Sequence, residues 1–115
     1  MRNFPLLEIL GLTKSIWELI LKIPISERDS NSILTYSAVI KYFVTERPED
    51  IKIKKGAVLL EKCSQGFLIT QVFLDSNNQL VCDVHDRPYG RRVLAIKIDK
   101  ELQDAFGKQN LIIVE

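Results

Sequence analysis

The chain has 115 residues, 46% hydrophobic and 27% charged, with a net charge of +1. Such a chain suits one globular domain burying roughly 65% of the surface it exposes when unfolded. The balance excludes a disordered polymer, and it gives the molecule as a whole no field that draws nucleic acid or anionic membrane. No repeat or linker divides the sequence, so residues 1–115 are expected to fold as one unit. Within it, a helical part over 1–47 precedes a β part over 51–115 that does not stand alone.

Residues 4–10 suit a short helical turn that Pro5 starts and Gly11 ends. Thr13 is placed to cap a second helix reaching Lys22, in which Ile16, Leu19, Ile20 and Ile23 repeat at helical spacing. Lys14, Glu18 and Lys22 share another face, while Trp17 and Leu21 widen the apolar stripe enough for two packing partners. Trp17 itself reads as core or subunit-interface packing. Glu8, Lys14 and Glu18 interrupt the apolar stretch 6–23, against an export signal or a membrane span, so a cytoplasmic location is expected. Cys63 and Cys82 accordingly read as buried free thiols.

Pro24 stops the helix, and a polar loop is expected over 26–30. Asp29, Ser30 or Asn31 then caps a third helix over 32–45, with Ile33, Tyr36, Val39 or Ile40, and Phe43 on its apolar face. Arg47 to Asp50 breaks the pattern. Beyond it the period falls to two, predicting strands over 51–54, 58–62, 67–74, 80–84, 92–98 and 111–114. Turns separate them at 75–78 and 85–90, and Asp99 caps a short helix over 100–106 that Gly107 ends.

Segment 67–74 is apolar on both faces, Phe67, Ile69, Gln71 and Phe73 against Leu68, Thr70, Val72 and Leu74, and so requires cover on both sides. Segment 92–98 is read with Leu94, Ile96 and Ile98 on its core side, which places Val72 and Leu94 in the main core. The predicted class is α+β. Two or three N-terminal helices pack on a mostly antiparallel sheet, or a small barrel of about five strands, with a short helix before the last strand. The element order over residues 51–115, a single helical turn preceding the final strand, resembles the SH3-like small barrel. The peptide-binding signature of SH3 domains is missing, so the resemblance implies no ligand.

The densest polar cluster runs from Asp83 to Arg92 and holds the only histidine, His85. Arg87, Arg91 and Arg92, with Tyr89 beside them, suit a phosphate or carboxylate, since guanidinium forks match those anions bidentately. The same composition equally describes a solvated β-turn. If a strand already runs there, Arg91 and Arg92 point to opposite faces, leaving one of them to join Arg87. Lys52, Lys54, Lys55 and Lys62 form a smaller basic run.

Three functions are weighed. The leading one is a non-catalytic protein-interaction module, homodimeric because the apolar surface exceeds what one thin sheet and two helices hide. The second is nucleic-acid or nucleotide binding through the basic turn 85–92. The third is an enzyme using Cys63, Cys82 or His85, where no base is set beside a nucleophile. Neither cofactor nor metal is expected, because three Cys and His residues in all are too few for a zinc site.

Overall fold

The computed structural model describes residues 14–27 and 33–115. Helix α1 covers Lys14–Ile20, α2 Tyr36–Thr45 and α3 Lys100–Phe106. The strands are β1 Ile25–Glu27, β2 Ile33–Leu34, β3 Lys55–Cys63, β4 Gly66–Leu74, β5 Gly90–Ala95, β6 Lys97–Ile98 and β7 Leu111–Val114. Five of them form one sheet in the order β1-β5-β4-β3-β7, while β2 pairs with β6 apart from it. Within the sheet only β1 and β5 run parallel, so the fold is α+β with a mostly antiparallel five-stranded sheet.

The centre is β4, and its composition explains why. Ile69 and Phe73 point into a cluster with Val39 and Phe43 of α2 and Leu102 and Phe106 of α3. Val72 and Leu74, on the opposite face, meet Ile20, Ile23, Ala57 and Leu59, with Trp17 packed alongside. Each fully buried aliphatic or aromatic side chain contributes about 1.5–3 kcal/mol relative to exposure, so a strand buried on both faces anchors the sheet. Gln71 is fully buried within β4 and satisfied, its amide donating to the Val39 carbonyl at 3.0 Å. Thr35 caps α2 through a hydroxyl accepting from the Ala38 amide at 3.0 Å. Asp99 caps α3 where the sequence places it. Its carboxylate accepts from Leu102 N at 2.9 Å and also from Tyr36 N at 3.1 Å, tying the starts of two helices together.

Several expectations are corrected. The sheet stays open, with β1 and β7 at its edges, instead of closing into an SH3-like barrel. A barrel wraps one core, whereas β4 has a separate cluster on each face, which keeps the sheet a layer. The helices are not grouped ahead of the strands: β1 and β2 lie between α1 and α2, and α3 follows β6. Ile25 and Ile33 are half exposed there and Leu34 is buried in the core, so strands of two or three residues leave little side-chain periodicity. In place of a strand over 51–54, residues 51 and 52 form a turn: Ile53 N donates to Asp50 O at 3.1 Å, and Lys52 N to the Asp50 carboxylate at 3.0 Å. Its alternation, with Ile51 exposed and Ile53 buried, imitates a strand.

Segment 80–84 makes only isolated bridges, Leu74 with Leu80 and Cys82 with Pro88. Segment 92–98 divides at a bend at Ile96, where the alternation slips by one residue. Val93 and Ala95 are therefore buried and Ile98 with them, while Leu94 is only half-buried on the other face. The third expected helix starts at Tyr36 and is capped by Thr35, not by Asp29, Ser30 or Asn31, because Ile33 and Leu34 pair with β6 as a strand. The Thr13 cap and the 4–10 turn lie outside the described residues.

Candidate functional site

The basic turn is built by Asp83. Its carboxylate accepts from His85 N at 2.8 Å and Arg87 N at 3.1 Å, and its own amide donates to Arg87 O at 2.9 Å. Those two backbone donors hold the Asp83 carboxyl below its ordinary pKa. Asp86 takes a left-handed backbone, φ 60°, which aspartate tolerates through local hydrogen bonding. The chain then enters β5 at Gly90, where φ is +155° and a Cβ would stand 2.2 Å from Gln71 O. Glycine is required at this approach.

Of the four sequence-predicted residues, Arg87 and Tyr89 share a cleft, while Arg91 and Arg92 turn away from it. Arg91 crosses to the α2 side, where its Nε donates to Gln71 Oε1 at 2.8 Å and its guanidinium lies 4.3 Å from the Tyr42 ring centroid. Burial is the main cause that raises the Tyr42 pKa, against the lowering effect of Arg91. Arg92 turns to the opposite face and is buried, its Nε 3.4 Å from Thr70 Oγ1 and its Nη2 3.9 Å from Glu61 Oε1. Tyr89 packs against the α2-side core cluster. The cleft that Arg87 and Tyr89 share is about 670 Å³, and they line it with Lys22, Ile23, Pro24, Asp83 and His85. Lys22 was not anticipated at this place, since its proximity depends on how α1 docks and no local pattern records that.

The thiols are not a pair of buried residues. Cys63 is exposed at the end of β3 and Cys82 is half-buried. Burial, then the nearby Asp86 and Asp83, push the Cys82 thiol up, away from the thiolate that nucleophilic chemistry uses. Of the basic run, Lys55 is engaged, donating to Asn78 Oδ1 at 2.8 Å and standing 4.0 Å from Glu115 Oε2.

A second site is backbone rather than side chain. In β7 the four residues Leu111, Ile112, Ile113 and Val114 are all apolar and all half-buried. They pair with β3 in the register Leu59 to Leu111 through Gly56 to Val114, and Leu60 N donates to Asn110 O at 2.9 Å. Antiparallel ladders alternate, so the peptide groups of residues 110, 112 and 114 face β3 and those of Leu111 and Ile113 point away from it. Among the described residues no strand lies beyond β7. The side chains divide likewise: Ile112 and Val114 pack on the α2-side cluster, Leu111 and Ile113 on the α1-side cluster. Sequence reasoning found β7 as a strand but not as an edge, because strand order is a long-range property.

Comparison with known proteins gives no matching family model, no matching curated protein and no matching solved structure.

Proposed function

We propose that this chain is a small non-catalytic protein-interaction module that binds protein by adding a strand to its sheet. The observation that supports the reading is β7, an apolar edge strand with outward-pointing peptide groups. Natural sheets blunt such edges with charge, proline or cover, because an open edge is a template for another chain. Strand addition takes affinity from main-chain hydrogen bonds and specificity from alternate side chains. Among the described residues, no helix is long and apolar enough to cross a membrane.

The test uses the whole chain and an Ile113→Pro variant as parallel baits in a lysate of the native host. Proline there removes an amide that β3 does not use. The reading predicts at least one protein retained by the parent and lost by the variant. Identical recovery by both baits contradicts it.

A second reading has its own support. The cleft at the basic turn joins two cations, Lys22 and Arg87, a small set suited to a phosphate group. Asp83 at the same cleft opposes that field. Single-stranded oligonucleotide titrated at low and physiological salt tests it: this reading predicts salt-sensitive binding that a Lys22→Ala, Arg87→Ala double variant loses. Binding unchanged in the variant removes the cleft from consideration.

A further inference from the structure

We infer that the strand added to β7 is the β7 of a second copy, paired antiparallel about a two-fold axis at Ile112. This rests on the interaction reading above and names its partner.

The hydrogen-bonding pattern of the edge is self-complementary. Leu111 and Ile113 are the residues whose N–H and C=O groups face outward, and they flank Ile112 symmetrically. Setting Ile112 opposite its own copy places Leu111 against the second copy's Ile113, and Ile113 against its Leu111. Both become hydrogen-bonded pairs, giving four bonds that use every outward group of the strand. A register shifted by one residue sets outward groups against inward ones and forms none of these.

Charge agrees with the same arrangement. Lys108 lies just before β7 and Glu115 just after it, both exposed. Antiparallel pairing brings the basic end of each strand beside the acidic end of the other, whereas parallel pairing would set like charges together. The two-fold axis stands perpendicular to the sheet, so each face continues into the same face of the second copy. The uncovered flanks of Ile112 and Val114 on one side, and Leu111 and Ile113 on the other, then become interior to a ten-stranded sheet. The apolar surface that this pairing covers is the half-buried flank of β7, while the most exposed apolar side chains among the described residues, Val44, Ile51 and Val84, lie elsewhere on the molecule.

Ile112 opposite its own copy is a non-hydrogen-bonded pair, with Cα atoms roughly 4.5 Å apart, within the range a disulfide spans. Leu111 and its own copy sit diagonally, roughly 7–8 Å apart, beyond easy reach. The experiment uses the full chain in a Cys63→Ser background, with Ile112→Cys and Leu111→Cys compared under mild oxidation. Light scattering on the parent and on Ile113→Pro accompanies it, with circular dichroism showing that each variant keeps its strands. The expected results are a parent mass twice 13.2 kDa at micromolar concentration, a monomeric Ile113→Pro, and crosslinking at 112 well above that at 111. A parent mass of 13.2 kDa throughout the micromolar range overturns the inference, and so does crosslinking favoured at 111. A monomeric parent whose β7 still captures a different protein removes the second copy and leaves the interaction reading standing. Should Ile113→Pro lose its strands, the crosslinking comparison still decides the register.

Discussion

At one edge of the sheet lies Ile25–Glu27, three residues that follow Pro24 and carry a serine at their centre. At the other lies Leu111–Val114, four apolar residues with no interruption. The first runs parallel to β5 and the second antiparallel to β3. A short, partly polar strand guarded by proline is a poor template, since proline cannot donate and each added residue supplies few bonds. The apolar edge carries none of those guards, and its only charges stand at its ends. Among the described residues neither edge has a further strand, so one sheet holds a poorer and a better template, and the difference lies in length and composition.

The strongest way to break that comparison is to remove the strand both edges depend on. Val72 is fully buried in β4 among Ala57, Leu59 and Leu74. Val72→Asp places an unpaired charge there and is expected to cost about 4 kcal/mol or more, read as loss of the cooperative thermal transition. A midpoint within a degree or two of the parent would contradict the two-sided core.

Asp99→Ala acts closer to the open edge, because α3 leads directly into β7. Its carboxylate serves the amides of both Leu102 and Tyr36, so the expected loss is about 1–2 kcal/mol by denaturant titration. A loss below a few tenths would mean that the cap is idle.

Charge at the ends of β7 sharpens the comparison further. Lys108→Glu should weaken self-association by a few-fold, in keeping with about 0.2–1 kcal/mol for exposed pairs, and Glu115→Lys in the same chain should restore it. The sedimentation-derived dissociation constant of the double variant is the readout. At the guarded edge, Ile25→Lys should change stability by no more than about 0.5 kcal/mol and leave association untouched.

How much of this was legible in the sequence depends on how local each feature is. The two-faced apolar character of β4 and the Asp99–Gly107 frame of α3 are written in adjacent residues, and the structure has both. The opposite facing of Arg91 and Arg92 follows from strand alternation alone. Strand β1, the phase slip at Ile96 and the Lys22 side of the cleft were not legible, because each depends on backbone or tertiary partners distant in sequence. Residues 51–54 misled for a different reason. A turn that exposes Ile51 and buries Ile53 writes the same alternating pattern as a half-buried strand.

Amide hydrogen exchange along β7 tests the open edge most directly. The amides of Ile112 and Val114 face β3 and should be protected at every protein concentration. Those of Leu111 and Ile113 should exchange fast in dilute protein and gain protection as concentration rises, in step with the mass from light scattering. Fast exchange at Leu111 and Ile113 across the whole concentration range would contradict the account.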